Sequence, residues 1–442
     1  MRIVHITAGA GGRICGSCLH DNTLVRALRE RGRDAILVPA YVPTTTDEEN
    51  VAIERVVMGG VNVWLQEHVP LLRHTPSFLD RPFDSRRLLA WLSGRTGSAR
   101  PADLGPLTVS SLEGEAGHQR KEVLKLARWL AAEVRPDVVH LSNVLLLGLA
   151  RAIGQAAGCG IVCSLSGEDL FIDQTPEPYR ERIWSLLTER AADVDRFVGL
   201  NTFYADFMAD RMAIPAEKLA VVPHGVDLTG FPAEPPDLAA RRAASGGGVT
   251  IGFLARACPE KGLDRAIRAV GLLRDQRRDV RLVAAGATVE AERTYLAGCL
   301  AVAEELGLAD RFDWRGQVDR PGKLALLEEV DLFAMPTTHP EAKGLPVIEA
   351  LAAGVPVVAS DHGTFPELLD DQRAGLLHEP GDPADLARAI ATLADDAARA
   401  AACGRHGHAL ARSRHTAGAM AAGHEEIYEQ AAAFARGRAG RL

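Results

Sequence analysis

The length, composition and charge of this chain exclude several classes of protein. Its 442 residues are enough for about two domains, each large enough for its own core. Hydrophobic residues make up 47% and charged residues 24%, as in globular proteins, and the net charge of -8 argues against a nucleic-acid surface. Seven cysteines with irregular spacing do not form a disulfide pattern. No run of 18 apolar residues occurs and the N-terminus enters a strand at once, so we expect no membrane span, no signal peptide and a cytoplasmic location.

The first half of the chain alternates between strand-like and helical segments. The helical stretch LVRALRERG follows the first strand-like run and closes on Gly32. This alternation predicts a parallel, doubly wound α/β sheet in a first domain over 1–228. The strand-like runs are IVHITA, DAILVPA, DVVHLS, GIVCSLS, RFVGLN and LAVVP.

The segment from about 44 to 125 fits this alternation poorly and is interpreted as a helical insertion. Trp64 and Trp91 lie in it, and leucines are interleaved with a series of arginines. The favoured interpretation is that its apolar side caps the first domain and its arginines are solvated. The alternative is an amphipathic basic helix that makes peripheral contact with an anionic membrane, where a lipid-linked acceptor would be found. The arginines are Arg81, Arg86, Arg87, Arg95 and Arg100.

Two short motifs look like metal or redox sites, and both are interpreted as structural. Cys15 and Cys18, with His20, offer three of the four ligands that zinc needs, and nothing else in the chain provides a thioredoxin-like context. Packing in the loop before the first helix is favoured, with acceptor binding as the alternative. Asp193 and Asp195 resemble a metal-binding aspartate pair, but they fall between a helix and a strand, where a helix-ending turn is favoured.

A second alternation of strands and helices begins after a segment rich in Pro, Ala and Gly. That segment predicts a linker over 229–248, followed by a second domain over 249–415. A helical tail runs from about Thr416 to Phe434 and, with the last residues, forms the segment 416–442. The strand-like runs of the second domain are VTIGFLA, VRLVAAG, RFDWRG, DLFAMP and VPVVAS.

Two glutamates follow a buried strand in HPEAKGLPVIEALAAGVPVVAS. Glu341 lies on a loop. Glu349 follows about two turns on, near the same face, in a helix that Gly354 and Pro356 end. The amides of Gly344 and Leu345 at the start of this helix suit hydroxyls or phosphate oxygens, and carboxylates accept hydrogen bonds from vicinal hydroxyls. This layout indicates a nucleotide-sugar site.

A second constellation lies upstream, in GGGVTIGFLARACPEKGLDRAIRAV. Arg256 and Lys261 follow a strand and precede a helix, at the end of a sheet where open α/β folds bind ligands. The chain has only six lysines, so the presence of Lys261 and Lys343 in these short motifs is informative. Two cations there predict an anion clamp for a diphosphate leaving group.

Together these motifs resemble the family-four retaining glycosyltransferases of the GT-B fold, over nearly the whole chain. The resemblance rests on MRIVHITAGAGG, VPHGVD, RACPEKGLD, the two-glutamate block and HGTFPELL. It implies two Rossmann-like domains facing a cleft, with the C-terminal helix crossing back to the first domain. By this likeness Arg256 and Lys261 hold the diphosphate, Glu341 contacts the transferred sugar and Glu349 holds the ribose. Amides of Gly344 and Leu345 donate hydrogen bonds, and Val318 lies beside the base.

The acceptor side departs from the family pattern at one position. Many members carry a histidine near the reacting carbon, where this chain has Ser166, and serine cannot replace imidazole as a base. Glu168 and Asp169 are candidate contacts for acceptor hydroxyls. Gly11 and Gly12 of the Gly-rich loop, Ser166 and Asp169 are therefore the expected substrate contacts of the first domain. His224 is interpreted as a neutral polar contact rather than a catalytic group.

The predicted activity is transfer of a hexose from a nucleoside diphosphate sugar, with UDP as the expected nucleotide, to an unknown acceptor. The resemblance implies retention of anomeric configuration and no metal or other cofactor, with Glu341, Lys261 and Arg256 as catalytic groups. The alternatives are a nucleotide-sugar epimerase or hydrolase on the same fold, or a binding protein without turnover. The partners are small molecules, and the sequence does not define the oligomeric state.

Overall fold

The computed structural model describes residues 1–9, 16–46, 48–60, 63, 66, 67, 101–244 and 246–439. The chain divides into two compact units: Met1–Gly225 with Ala417–Leu442, and Val226–Thr416. Each unit contains a parallel sheet of six strands with flanking helices. The predicted α/β architecture of two doubly wound, Rossmann-like domains is confirmed.

The first sheet has the strand order β2-β1-β3-β4-β5-β6. Its central strands β3 and β4 are buried at every position, which explains why the sequence shows continuous apolar runs rather than alternation. All six strands predicted for this half are present. They are β1 (Arg2–Thr7), β2 (Asp34–Pro39), β3 (Val138–Leu141), β4 (Gly160–Leu165), β5 (Arg196–Gly199) and β6 (Leu219–Val221).

The helices of the first unit include one from the far end of the chain. This last helix packs closely on β4, because a Cβ at Gly160 would lie 2.6 Å from the carbonyl carbon of Ala431. Its Glu425 accepts hydrogen bonds from Arg31 at 2.8 Å and Arg33 at 2.9 Å. The helices are α1 (Gly16–Glu30), α2 (Pro101–Glu113), α3 (Arg120–Trp129), α4 (Ala150–Ala157), α5 (Asp169–Asp173), α6 (Tyr179–Arg190), α7 (Thr202–Met212) and α16 (Ala417–Ala439).

The second sheet has the order β12-β11-β10-β7-β8-β9. Five of its strands were predicted, and the sixth, β12, was missed. The strands are β7 (Val249–Leu254), β8 (Val280–Ala285), β9 (Phe312–Trp314), β10 (Leu332–Met335), β11 (Val357–Ser360) and β12 (Gly375–His378). The helices are α8 (Leu238–Ala244), α9 (Leu263–Asp275), α10 (Arg293–Glu305), α11 (Arg320–Glu329), α12 (Leu345–Ala352), α13 (Phe365–Leu368), α14 (Pro383–Asp395) and α15 (Ala397–Arg414).

The segment 229–248, predicted as a linker, contains the short helix α8. Leu238 is buried, and Arg242 donates to the carbonyl oxygens of Leu393 and Ala394, each at 3.2 Å. The segment is therefore packed against the second unit by both apolar and polar contacts. Its Pro, Ala and Gly content masked this short helix in the sequence.

The described end of the predicted insertion, 101–125, packs as part of the first unit. Leu112 on α2 is fully buried, and so is Leu126 on α3, one residue after the end of the predicted insertion. The guanidinium of Arg55 lies 4.9 Å from the ring centre of Trp129. All five arginines on which the membrane hypothesis depends, with Trp64 and Trp91, lie outside the described residues. Within the described ranges, none of the helices has the length and apolar character needed to cross a bilayer.

Candidate active site

Two predicted motifs of the second unit begin where neighbouring strands end. β7 and β10 pair in parallel, with Leu332 opposite Ile251, so their carboxyl ends lie at the same edge of the sheet. Arg256 and Lys261 follow β7, and Glu341 follows β10. The topology thus brings together two segments that are about 80 residues apart in the chain.

Close backbone approach at two glycines fixes these segments. Gly262 has φ 75°, and a Cβ there would lie 1.9 Å from the carbonyl oxygen of Pro336, just after β10. Gly344 has φ 63°, and a Cβ there would lie 2.3 Å from a methyl carbon of Leu368. Both positions need glycine for conformation and for space, because other residues rarely adopt this left-handed backbone.

Backbone hydrogen bonds join the two loops. The amide of Thr338 donates to the carbonyl of Glu260 at 2.9 Å, and the Thr338 hydroxyl donates to the carbonyl of Pro259 at 3.3 Å. The carbonyl of Glu341 accepts from the amide of Thr364 at 2.9 Å. The loop that carries Glu341 is thereby held from both sides, which limits the freedom of its side chain.

Lys261 and Glu341 form an ion pair at the centre of this arrangement. The lysine ammonium donates to Oε2 of the glutamate, and the two side chains are 25% and 16% exposed. Burial alone would raise the pKa of Glu341. The positive charges of Lys261 and Lys343 lower it by more, so the pKa of Glu341 lies below its ordinary value. The carboxylate is therefore ionised at neutral pH. The structure thus places Lys261, predicted to contact the diphosphate, against Glu341, predicted to contact the sugar.

Arg256 has a carboxylate partner that the sequence did not indicate. Its Nε lies 3.2 Å from Oε1 of Glu292, just before α10, while the arginine side chain is 48% exposed. Burial lowers the pKa of Arg256, but Cys258 and Glu292 raise it, with a net upward shift. Glu292 is anchored in turn, because its Oε2 accepts from the amide of Val289 at 3.3 Å.

Glu349 is paired with Lys323, a residue that sequence reasoning also missed. Nζ of Lys323 lies 2.6 Å from Oε1 of Glu349, and the side chains are only 10% and 5% exposed. Lys323 lies in the first turn of α11, which Asp319 caps by accepting from the amide of Gly322 at 2.9 Å. The signal was present in the composition, because Lys261, Lys323 and Lys343 are half of the six lysines.

The remaining donor-site predictions lie around the starts of α11 and α12. Gly344 occupies the N-cap position of α12, and its carbonyl accepts from the amides of Val347 and Ile348. Leu345 is the first residue of that helix. Val318 is half-buried against the apolar core and directly precedes the cap of α11. The roles expected for Gly344, Leu345 and Val318 stay predictions.

Comparison with known proteins decides the family. The model of the glycosyl transferases group 1 matches residues 237–409, and the model of glycosyltransferase family 4 matches residues 99–229. The chain is 31% identical over 320 residues to the D-inositol 3-phosphate glycosyltransferase of Segniliparus rotundus, covering 70% of this chain and 67% of the relative. The chain belongs to the group 1 glycosyltransferases.

Other relatives and solved structures agree with this assignment. The 2-deoxystreptamine glucosyltransferase of Streptomyces kanamyceticus is 29% identical over 290 residues, covering 63% of this chain and 72% of the relative. Anabaena Alr3699/HepE in complex with UDP has a TM-score of 0.67 and 20% identity, covering 97% of this chain and all of that one. Sucrose-phosphate synthase from Thermosynechococcus elongatus has a TM-score of 0.68 at 18% identity, covering 97% and 98% of the two chains. The structural likeness shows the fold, GT-B.

In this group 1 glycosyltransferase the predicted acceptor contacts of the first unit are engaged with the protein itself. Ser166 is buried, and its amide and hydroxyl both donate to the carboxylate of Glu168, the hydroxyl at 2.7 Å. Asp169, also buried, accepts from the hydroxyl of Tyr204 at 2.8 Å. Gly11 and Gly12 lie outside the described residues.

The two motifs that resembled metal or redox sites are held in structural contacts where they are described. Cys18 is buried in α1, and Cys15 lies outside the described residues. Asp193 pairs with Arg151 at 3.1 Å, and Asp195 pairs with Arg438. In the described portion of this glycosyltransferase, no three His, Cys, Asp or Glu side chains are arranged to hold a metal ion. Metal independence stays a prediction.

A buried cluster of histidines in the first unit was not predicted. Oδ1 of Asp21 lies 3.0 Å from Nε2 of His5 and 3.2 Å from Nδ1 of His20. Burial raises the pKa of Asp21, but the two histidines lower it well below its usual range. His224, interpreted from sequence as a polar contact, packs its ring edge-on against His20 at 4.8 Å. The buried members are His5, His20, His140, His224 and His424.

Proposed function

We propose that this glycosyltransferase transfers a sugar from a UDP-sugar to a polyhydroxylated acceptor with retention of anomeric configuration. The Lys261–Glu341 ion pair supports this most directly, because it joins the predicted phosphate and sugar contacts at one sheet edge. Binding of UDP by a structural neighbour supports the choice of nucleotide. The donor would then lie along the second unit with its diphosphate at the β7 loop and its sugar at the β10 loop.

The proposed chemistry depends on stabilising the leaving diphosphate. As the glycosidic bond breaks, negative charge grows on the phosphate oxygen, and the fixed positive charges of Arg256 and Lys261 stabilise it without a solvent rearrangement. The amides at the start of α12 add donors of the kind that favour anions. In this proposal Glu341 exchanges part of its contact with Lys261 for the hydroxyls of the sugar.

No side-chain base is needed for a retaining transfer of this kind. Ser166 stands where the family resemblance implies a histidine, and its hydroxyl already donates to Glu168. A leaving phosphate oxygen on the same face as the acceptor can take the acceptor's proton while the new bond forms. The proton therefore moves to the UDP product, and the positive charges of the clamp hold that product until release.

The acceptor is proposed to be a cyclic polyol or aminocyclitol. Relatives are named for D-inositol 3-phosphate and 2-deoxystreptamine, and one from Mycobacterium leprae, 33% identical over 173 residues, for phosphatidyl-myo-inositol. These names share a six-membered ring that carries several hydroxyl groups. They supply the first compounds for an acceptor panel.

Two measurements test the proposed function. Thermal shift with UDP, GDP and ADP identifies the nucleotide, because a ligand that binds the native state raises its unfolding midpoint. Product analysis with UDP-glucose and inositol 3-phosphate, 2-deoxystreptamine or phosphatidylinositol should then give a glycoside with the donor's anomeric configuration. Free sugar alone would indicate a hydrolase, an altered sugar nucleotide would indicate an epimerase, and binding without turnover would indicate a binding protein. An inverted product would reject retention.

A further inference from the structure

The Lys323–Glu349 pair is buried in an apolar part of the second unit. Lys323 Nζ lies 2.6 Å from Glu349 Oε1, and both side chains are nearly inaccessible. Leu326 and Leu327 on α11 and Val347 on α12 are fully buried in the same core cluster. Because only 10% and 5% of the two side chains are exposed, each charge depends mainly on polar contacts within the protein.

Stability alone does not explain such a pair. Taking a lysine and a glutamate out of water is so unfavourable that a well-packed hydrophobic pair is often equally or more stable at such a position. A buried ion pair at the end of a sheet, between two helices that begin at the ligand-binding edge, is better explained by a functional requirement for a fixed carboxylate. Preorganisation of this kind is what a binding group on a rigid element provides.

The geometry specifies what the lysine does to the carboxylate. Donation to Oε1 fixes the orientation of the Glu349 side chain and favours its ionised form. An ionised carboxylate has two oxygens and about four acceptor positions, so it retains the capacity to accept from a pair of vicinal hydroxyls. A neutral or rotated side chain would recognise a diol less well, because one hydroxyl would then lack a charged acceptor.

We propose that Lys323 is a positioning residue that holds Glu349 for recognition of the ribose 2′ and 3′ hydroxyls of the donor nucleotide. This inference rests on the proposed function. It assigns Lys323 an effect on discrimination between ribose and deoxyribose, which acts through Glu349 and not through the phosphate clamp. A lysine with a purely structural role would weaken binding of both sugars equally.

The test compares the affinities of UDP and 2′-deoxy-UDP by calorimetry. Wild-type protein should prefer UDP by about tenfold or more, the effect of one hydrogen bond to a charged group. Lys323→Met keeps the length of the side chain and removes the charge, and it should reduce this preference to about threefold or less. Binding of 2′-deoxy-UDP, which keeps only the 3′ hydroxyl, should weaken less than binding of UDP. Lys323→Arg should retain a larger part of the preference.

A matched control exists in the first unit. Lys125 pairs at 3.2 Å with Glu122, a fully buried glutamate, so Lys125→Met also removes a lysine from a buried carboxylate. It should leave the ratio of the two affinities unchanged. If Lys323→Met does not fold, Lys323→Gln, which keeps a donor beside Glu349 and removes the charge, is measured instead and should also show a reduced preference.

Each outcome is decisive. A preference in Lys323→Met equal to that of wild type, or equal weakening of both nucleotides, overturns the positioning role and leaves the proposed function intact. If wild-type protein binds UDP without preferring it to 2′-deoxy-UDP, the ribose role of Glu349 is wrong and the inference falls with it. If wild-type protein binds none of UDP, GDP and ADP, the proposed function itself is rejected together with this inference.

Discussion

At the scale of single residues, three cations of the candidate site are each paired with a carboxylate of the protein. Lys261 forms an ion pair with Glu341, Arg256 with Glu292 and Lys323 with Glu349. A diphosphate that binds here therefore competes with these carboxylates for the lysines and the arginine. The net binding free energy is the difference between the cation–phosphate and the cation–carboxylate contacts. The affinity for the nucleotide depends on how far each cation exchanges its carboxylate partner for a phosphate oxygen.

Removal of either clamp cation should weaken binding of UDP. Lys261→Ala should weaken it by about 1.5 to 3 kcal/mol, the range for hydrogen bonds to charged groups, and Arg256→Ala by less because its side chain is half exposed. Calorimetric titration with UDP measures both. Arg293→Ala is the control, since that arginine is 72% exposed and pairs with a neighbouring surface glutamate. Unchanged affinity in both clamp variants, with the fold intact, would remove the clamp assignment.

The two glutamates should fail in different ways. Glu341→Gln should chiefly lower kcat, because its contacts to the sugar strengthen as positive charge spreads over the anomeric region. Glu349→Gln should chiefly raise the donor KM, because the ribose does not change during reaction and binding that is equal in ground and transition states affects KM. Steady-state kinetics with varied donor separates the two.

The ion pairs add a readout for free UDP, which contains ribose but no transferred sugar. Its affinity should fall in Glu349→Gln and stay near the wild-type value in Glu341→Gln. If the affinity for UDP changes in Glu341→Gln, it should rise, because Lys261 then has no charged carboxylate competing with the phosphate. Equal losses of UDP affinity in the two variants, or an unchanged donor KM in Glu349→Gln, would contradict the proposed division of roles.

At the scale of elements, helix α16 should make the first unit sensitive to acid. Burial, together with the nearby His20, lowers the pKa of His424 to about 3, and hydrogen bonds from Arg31 and Arg33 lower that of Glu425 to about 2. Both groups bind protons less readily in the folded protein than in the unfolded chain. The stability that they contribute is therefore complete above their pKa in the unfolded chain and is lost as the pH falls. For His424 this loss runs from about pH 6.5 downward, and for Glu425 from about 4.3.

Unfolding measurements between pH 7.5 and 4.5 test the contribution of His424. At pH 5 the neutral histidine should already reduce the free energy of unfolding by about 2 kcal/mol, because folded protein cannot take up the proton that unfolded chain accepts. His424→Gln should flatten the pH dependence of the unfolding midpoint. His118→Gln, at a position 43% exposed, should not. The same slope in wild type and His424→Gln would show that α16 does not carry this sensitivity.

The elements that sequence reasoning predicted are those with a strong local signal. Long apolar runs predicted eleven of the twelve strands in the described chain. The loops after β7 and β10 were identified by their charged residues, Arg256 and Lys261 in the first and Glu341 in the second. β12 was missed because its four residues follow the polar turn DDQRA, and it is recognisable as a strand only through its pairing with β11. Short elements are specified by tertiary contacts more than by composition.

The partners in the site could not be predicted, because they depend on contacts between distant segments. Glu292 lies between β8 and α10, and Lys323 lies in the first turn of α11. Nothing local in either segment indicates an ion pair with Arg256 or Glu349. The histidine cluster is similar, since its members come from five separate segments of the first unit. Sequence motifs therefore identified the residues expected to touch the ligand, and the structure supplied those that position them.

At the scale of the whole molecule, the two family matches fall in different units. Residues 237–409 lie in the second unit and 99–229 lie almost wholly in the first. The residues proposed to hold the donor all belong to the second unit, whereas Ser166 and Asp169 belong to the first. Changes in the second unit are therefore expected to act on the nucleotide, and changes in the first on the acceptor.

This division leads to a prediction about metal ions that involves both units. If Arg256, Lys261 and the amides that begin α12 neutralise the leaving diphosphate, activity should survive excess EDTA, because no divalent ion has to bridge the phosphates. In the first unit, Asp193 and Asp195 are already paired with arginines, so Asp193→Asn should leave the metal response unchanged. Initial rates with and without chelator, each followed by addition of magnesium or manganese, measure this. Loss of activity with EDTA and its recovery with either ion would overturn the metal-free clamp, and loss of that recovery in Asp193→Asn would assign the ion to the aspartate pair.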